Sequence, residues 1–300
     1  MIRPAKLKAG DTVAIVSPAG AVRDIATVEG CRRLLDSWGL EVFIAPHTLT
    51  SHDYYSGTAE ERAGEIAACI ADSSIKAILC SYGGYGCVHI IDEFARHIGK
   101  NPKWVIGMSD CSALHAACLS QGVMSIHGPQ CRQLSQFPDS TPTEMLKAIL
   151  FGKETAYGNA PHSLDIHGTA TGTLAGGNLS VLTALSGSRY DIFREGTILF
   201  MEDTGEQPYR VERMMYQLEL SGALPRLKGV IVGEFNGIKE DRRFGGTTYE
   251  LIHDIISRYN IPACFGFPTG HIDGNVPLIE GAEVIMNVKD EGTEIRYIKQ

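Results

Sequence analysis

The chain has 300 residues, of which 44% are hydrophobic and 21% charged, a composition typical of globular rather than disordered proteins. At roughly 150 residues per domain, this length predicts two domains. The net charge of −8 disfavours nucleic acid as a partner, because proteins that bind phosphate backbones present clustered basic surfaces.

The first half alternates short apolar runs with amphipathic stretches of helical length. Strands are predicted at Thr12–Val16, Glu41–Ala45, Ile75–Cys80, Trp104–Gly107 and Val123–Ile126, and helices at 24–38, from Thr58 to about Ala71 and from about Ser112. Thr58 and Glu61 form the pattern of a capping box. Strands that alternate with helices favour a parallel sheet with helices on both faces, and functional groups are then expected beyond the carboxyl ends of the strands.

Periodicity is lost over residues 152–168, where Gly, Pro and His become frequent. We expect this stretch to be a linker between an amino-terminal domain of residues 1–151 and a smaller α/β domain of residues 169–300. The later elements are predicted as strands near 197–202, 229–233 and 283–288 and as helices near 208–221 and 247–258.

The chain begins with a charged stretch that lacks the apolar core of a secretory signal, and its apolar runs stay well short of about 18 residues. A cytoplasmic protein without a membrane partner is therefore expected. The eight cysteines include no Cys-x-x-Cys pair, so buried thiols are favoured over disulfides or a zinc site. No His-x-x-x-His pair occurs, and neither a metal nor a cofactor is expected.

The first motif with chemical potential lies where the strand Trp104–Gly107 runs into Ser109 and Asp110. A tight turn from strand to helix presents a serine hydroxyl at the edge of the sheet and leaves the next backbone N–H for an oxyanion. The alternative is that Ser109 or Asp110 only caps the helix. The segment alone leaves both interpretations open.

A second motif, Gly83–Gly86, also connects a strand to a helix. Glycines allow the backbone to approach a ligand and to point N–H groups at it. The alternatives are a plain tight turn or a nest for an oxyanion or a carboxylate. A dinucleotide loop is disfavoured because the Gly-x-Gly-x-x-Gly spacing is absent.

Two further motifs lie in the second half. Glu202 follows an apolar strand, where a carboxylate is able to orient an imidazole, although a solvated acidic loop is the alternative. His271 lies in a loop rich in Gly and Pro, which makes it accessible. His127, at the end of a strand, is a second candidate for a general base, and spacing alone does not separate the two histidines.

Taken together, these segments resemble the LD-carboxypeptidase family, which also contains the microcin C-type immunity peptidases. The resemblance covers nearly the whole chain in order. It is carried by segments that begin at the opening strand and end at the accessible histidine: Leu7–Ala19, Ser56–Arg62, Ile75–Ile78, Gly83–Gly86, Gly107–Asp110, His127–Pro129, Gly176–Leu179, Tyr209–Arg213 and Gly270–His271.

The resemblance implies a Ser–Glu–His triad. Ser109 then corresponds to the nucleophile, His271 to the base that takes its proton, and Glu202 to the carboxylate that orients the imidazole. Glu206 is the runner-up for that last role.

The resemblance further implies an oxyanion hole made by the N–H groups of Asp110 and a glycine of Gly83–Gly84, for which Gly84 is the expected donor. The implied fold is a flavodoxin-like domain with a parallel sheet that carries the serine, followed by a smaller α/β domain that carries the glutamate and the histidine. A homodimer is expected.

The implied reaction is hydrolysis of an amide between an L-configured centre and a terminal D-amino acid. The expected substrate is a small peptide, the muropeptide tetrapeptide of cell-wall recycling, which would lose its D-alanine. Gly83, Tyr85 and Arg213 are candidates for substrate binding, with Arg210 as an alternative cation for the terminal carboxylate. The third residue of the peptide stays open between lysine and diaminopimelate.

Two other functions compete with this expectation. An immunity-type peptidase of the same family would cleave a peptidyl- or aminoacyl-nucleotide, and it would need an aromatic side chain to stack the base. A two-domain α/β protein is also suited to non-catalytic binding of a small molecule. The Ser109, Glu202 and His271 set favours an enzyme over a binding module.

Overall fold

The chain folds into two compact units. The computed structural model describes residues 1–153 and 155–298. The first unit comprises Met1–Glu154 with Asp273–Gly281, and the second comprises Thr155–Ile272 with Ala282–Gln300. Residues 154, 299 and 300, which the predicted domain boundaries include, lie outside the described residues. Across the described ranges, we find no helix with the length and apolar character needed to cross a membrane.

Strands and helices alternate through most of the chain. The strands are β1 (Thr12–Val16), β2 (Glu41–Ile44), β3 (Ile75–Cys80), β4 (Trp104–Gly107), β5 (Ser125–His127), β6 (Ala156–Asn159), β7 (Gly168–Asn178), β8 (Thr197–Thr204), β9 (Gly229–Asn236), β10 (Ala263–Cys264), β11 (Leu278–Glu280), β12 (Glu283–Lys289) and β13 (Gly292–Tyr297). The helices are α1 (Ile25–Ser37), α2 (Ala59–Ala71), α3 (Cys87–Ile98), α4 (Ser112–Ser120), α5 (Cys131–Gln136), α6 (Thr141–Leu150), α7 (Leu179–Ala184), α8 (Pro208–Leu220) and α9 (Thr248–Ile256).

The first unit is built on a sheet in the order β11-β5-β4-β3-β1-β2. Its strands are parallel except for β11, which pairs antiparallel with β5. β1, β3 and β4 are almost entirely buried, as expected for parallel strands covered on both faces. The predicted capping box of Thr58 and Glu61 is present and opens α2. The predicted parallel α/β fold of this domain is confirmed.

The second unit contains a mixed sheet in the order β10-β9-β8-β7-β12-β13-β6. β7, β8, β9 and β10 run parallel, whereas β12, β13 and β6 complete the sheet with antiparallel pairs. α8 contacts both α7 and α9. The predicted α/β character of this domain is also confirmed.

The structure differs in two places from the linker and the domain boundaries expected from the sequence. Residues 156–159, inside the predicted linker, form the edge strand β6, which pairs with β13 and buries Tyr157. Asp273–Gly281, expected in the second domain, belongs to the first unit through β11. Both strands are short and pair with partners far along the chain, so the local sequence pattern carries little signal of them.

Candidate active site

Ser109 lies in a sharp turn between β4 and α4. Its φ of +63° falls in the left-handed region, which is unfavourable for a residue with a Cβ. The residue that caps α4 is Cys111, so capping does not account for this conformation. A half-buried serine held in a strained turn from strand to helix is the geometry of a nucleophile elbow.

The glycine loop after β3 lies directly against this turn. A Cβ added to Gly83 would stand 2.8 Å from the Cβ of Ser109, 3.0 Å from its Oγ and 3.5 Å from the backbone nitrogen of Asp110. Only glycine permits this approach. Gly84, the next residue, has a φ of +90°. The structure therefore brings together Gly83, Gly84, Ser109 and Asp110, the residues predicted for the nucleophile and the oxyanion hole.

Glu202 and His271 form a hydrogen-bonded pair in the second unit. Glu202 stands near the carboxyl end of β8 and is fully buried, and its Oε2 lies 2.7 Å from Nδ1 of His271. A Cβ on Gly270 would lie 2.9 Å from the Cβ of Glu202, so glycine allows the loop to pack on the carboxylate. The amide of Asn236 donates to the backbone oxygen of His271 at 2.5 Å. Nδ1 faces the carboxylate, which leaves Nε2 as the nitrogen suited to exchange a proton with substrate groups.

The carboxylates around Glu202 have different partners. Asp203 accepts hydrogen bonds from the amide of Asn178 and from the backbone N–H of Ser180, both at 2.9 Å, and burial raises its pKa to about 6. Oε2 of Glu206 lies 3.6 Å from Nη1 of Arg210 on the next turn. Of the two glutamates considered for orienting the imidazole, Glu202 is therefore the one hydrogen-bonded to His271.

The remaining candidates are distributed over both units. His127, the alternative base, is fully buried in β5. Tyr85 is 50% exposed, and its ring centroid lies 5.2 Å from that of His89. The guanidinium of Arg213, on α8, lies 5.3 Å from the ring centroid of Tyr209.

Asp110 contributes more than the backbone N–H considered from the sequence. Its side chain is buried, and Oδ2 accepts a hydrogen bond from the backbone N–H of Cys87 at 2.7 Å. Burial raises the pKa of this carboxyl to about 6. The sequence offered one signal for such a role, an acidic residue directly after the candidate nucleophile. Nothing in the local pattern indicated which N–H it would accept from.

The cysteines are buried throughout the chain, as expected from the sequence. All eight are free thiols, and Cys111, two residues beyond Ser109, is fully buried. Within the described part of the chain, His, Cys, Asp and Glu side chains form no cluster of three or more suited to a metal ion.

Comparison with known proteins assigns both halves of the chain to one family. Residues 13–128 match the model of the LD-carboxypeptidase N-terminal domain, and residues 171–286 match that of the LD-carboxypeptidase C-terminal domain. A relative from Bacillus subtilis, named probable murein peptide carboxypeptidase, is 31% identical, with 96% of this chain and 92% of the relative covered.

Solved structures show the same relationship. The crystal structure of muramoyltetrapeptide carboxypeptidase from Oxalobacter formigenes matches with a TM-score of 0.87 and 28% identity, over 96% of this chain and 99% of that one. The microcin C7 self-immunity protein MccF also matches with a TM-score of 0.87, over 100% of this chain and 99% of its own. At 23% identity, the likeness to MccF shows the fold alone.

Proposed function

The chain is a peptidase of the LD-carboxypeptidase family, and on this premise we propose that it is a serine peptidase with Ser109 as its nucleophile. His271 is the general base in this proposal, and Glu202 orients it. The observation that carries the proposal is the left-handed backbone of Ser109, at +63°, in the turn from β4 to α4. Strain of this kind persists where the surrounding structure holds it, and it is concentrated at active sites.

The reaction follows the roles of a Ser–His–acid triad. Oγ of Ser109 attacks the amide carbonyl carbon while its proton passes to Nε2 of His271. The carboxylate of Glu202 accepts the hydrogen bond from Nδ1–H and stabilises the imidazolium. The N–H groups of Asp110 and Gly84 hold the oxyanion of the tetrahedral intermediate.

The intermediate collapses when the carbon–nitrogen bond breaks and the leaving amine takes the proton from Nε2. Water then gives a proton to His271 and attacks the ester carbonyl of the acyl-enzyme. The second tetrahedral intermediate releases the free acid, and the proton returns to Oγ of Ser109. The overall change is hydrolysis of one amide.

The segment that follows the proposed base in the sequence belongs to the first unit. Asp273–Gly281, which begins two residues after His271, belongs to the unit that contains Ser109. Within that unit, β11 pairs with β5, and the amide of Asn275 lies 3.3 Å from the sulfur of Met108. The residue before the proposed nucleophile is therefore in contact with a segment that follows the proposed base closely.

The substrate we propose is a muropeptide tetrapeptide that loses its terminal D-alanine. Relatives named for murein peptide and muramoyltetrapeptide support this choice. We propose three groups for substrate binding: the backbone N–H of Gly83, the ring of Tyr85 and the guanidinium of Arg213. We further propose that the enzyme works as a cytoplasmic homodimer in cell-wall recycling.

The test is incubation of the purified protein with a disaccharide tetrapeptide, read by mass spectrometry. We expect loss of one alanine with the wild-type chain and none with Ser109→Ala. Ser120→Ala, on the helix that follows the elbow, is the matched control and retains the wild-type rate. A substrate that ends in L-alanine tests the configuration. Full activity of Ser109→Ala would refute the proposed role of the serine.

A further inference from the structure

One peptide group next to the elbow is held from both sides by buried charges. The backbone N–H of Cys87 donates to Oδ2 of Asp110 at 2.7 Å. The carbonyl of the same peptide, that of Gly86, accepts from Nη1 of Arg62 at 3.0 Å. The Gly86–Cys87 peptide thus links a carboxylate to a guanidinium.

Arg62 also holds two other loops of the first unit. Its Nη1 donates to the carbonyl of Pro18 at 2.5 Å, and its Nε donates to the carbonyl of Gly57 at 3.1 Å. The guanidinium carbon lies 5.0 Å from the ring centroid of Tyr55, a cation–π contact. The three carbonyls belong to the segments that follow β1, precede α2 and follow β3, so one side chain ties them together.

The fold does not require a charged side chain at position 62. Arg62 lies on the buried face of α2 with Ile66 and Ile70, at helical spacing, and only 2% of it is exposed. Within residues 1–153 and 155–298, no carboxylate lies within ion-pair distance of Arg62. A buried cation without a direct counter-ion is unfavourable compared with an apolar side chain of similar volume.

The loop that Arg62 and Asp110 hold is rich in glycine. Gly84 and Gly86 have φ values of +90° and +136°, and glycine loses more backbone freedom on ordering than any other residue. Gly83 in the same loop lies against Ser109. Catalytic N–H donors must be held in place before the reaction begins if they are to stabilise the oxyanion effectively.

We propose that the side chains of Arg62 and Asp110 are positioning residues that fix the Gly83–Gly86 loop against Ser109 through the Gly86–Cys87 peptide. The inference rests on the proposed function, because it assigns the loop to the oxyanion hole. Neither side chain contacts the reacting atoms in this scheme. Both act through the loop, so their loss lowers kcat. KM rises by a smaller factor, because Gly83 and Tyr85 in the same loop are proposed to bind the substrate.

A double-mutant cycle tests this coupling. Arg62→Met keeps an unbranched apolar stem but removes the donors, and we expect kcat to fall by about 10²-fold, as for loss of an oxyanion donor. Asp110→Asn removes the charge of the acceptor, and we expect a smaller loss. The double variant is expected to be no slower than Arg62→Met, because both side chains act on one peptide. Losses that multiply would overturn the proposal.

Amide hydrogen exchange supplies a readout that does not depend on activity. We expect faster exchange in residues 81–89 of Arg62→Met and Asp110→Asn, with the rest of the sheet unchanged. Arg32→Met, at a half-buried arginine on α1 that pairs with Glu29 and Asp36, is the control and shows neither change. Arg62→Lys, with one donor group, is a milder variant in case Arg62→Met does not fold, and we expect it to exchange at an intermediate rate.

The two proposals fail in different ways. Full activity of Ser109→Ala would end the serine mechanism, while the exchange experiment would still decide whether Arg62 and Asp110 hold the loop. Unchanged exchange in folded Arg62→Met and Asp110→Asn would end the positioning role, while the loss of activity in Ser109→Ala would stand.

Discussion

Oε2 of Glu202 lies 2.7 Å from Nδ1 of His271, and the carboxylate is fully buried while the imidazole side chain is 24% exposed. A buried carboxylate is stable only with hydrogen-bonding partners, and the imidazole N–H supplies one. In return, the carboxylate fixes the tautomer of the ring, which leaves Nε2 as the nitrogen able to accept a proton. This pair is therefore suited to general-base catalysis.

Replacement of Glu202 by glutamine tests the orienting role. Glu202→Gln keeps the shape of the side chain, but its amide N–H₂ is able to donate to Nδ1 and so to select the wrong tautomer. We expect kcat to fall by about 10³- to 10⁴-fold with little change in KM, by analogy with the triad aspartate of serine proteases. Steady-state hydrolysis of the tetrapeptide measures the effect. Glu206→Gln is the control, and an equal loss in that variant would assign the orienting role to Glu206.

A methyl group at Gly83 tests the close approach of the glycine loop to Ser109, the proposed nucleophile. The Cβ of Gly83→Ala would lie 2.8 Å from the Cβ of Ser109, so the loop or the serine must move. We expect kcat to fall by at least about 10²-fold while the protein stays folded. Gly64→Ala, on α2, has no atom within 4 Å of its new Cβ and is the matched control. That control is expected to be fully active and more stable by about 1 kcal/mol. A fully active Gly83→Ala would show that this contact is not needed.

The sequence predicts those helices and strands whose pattern lies within a short stretch of neighbouring residues. The capping box of Thr58 and the apolar run Ile75–Cys80 carry local information, and both were found as predicted. β6 and β11 were missed because each is short and is stabilised by a partner more than 130 residues away, at Thr293–Arg296 and Ser125–His127. Register between such distant strands depends on the completed fold.

In the candidate site too, some features carry a local signal in the sequence and others depend on contacts with distant residues. Alternation along β8 implies that Glu202 and Asp203 face opposite sides of the sheet, but only the fold reveals that His271 lies on the side of Glu202. Arg62 stands in the apolar stripe of α2, a signal visible in the sequence as an arginine four residues before Ile66. The carbonyls that it binds come from three separate loops, so no local pattern could identify them.

Because the backbone of Ser109 is left-handed, we expect an unusual order of stability between the glycine and alanine variants of this residue. Alanine at position 109 retains the unfavourable contacts of a Cβ at a φ of +63°, whereas glycine relieves them. We expect Ser109→Gly to be at least as stable as Ser109→Ala, by up to about 1 kcal/mol, although both are inactive. At an ordinary helical position the order reverses, and Ala63→Gly on α2 is expected to lose about 0.5–1 kcal/mol. Urea denaturation measures all three. A Ser109→Gly variant clearly less stable than Ser109→Ala would contradict the strained turn.

The carboxyl of Asp110 predicts a dependence of stability on pH. Burial raises its pKa in the folded state from 3.8 to about 6, so the folded protein holds this proton more tightly than the unfolded chain does. The contribution of Asp110 to stability is therefore greatest below about pH 4 and falls as the pH rises to about 6.

Asp110→Asn has no carboxyl proton to lose, so its stability does not fall as the pH rises to about 6. The variant retains an oxygen that accepts the hydrogen bond from Cys87. We expect the variant to be more stable than the wild type at pH 8, by up to about 3 kcal/mol, and the difference to vanish near pH 4. Urea denaturation at the two pH values measures this, with Asp139→Asn, at an exposed aspartate, as control. Because the same variant is expected to have a lower kcat, Asp110 would be a residue whose charge lowers stability in order to hold the glycine loop. A variant destabilised at pH 8 would show instead that the buried charge is favourable to the fold.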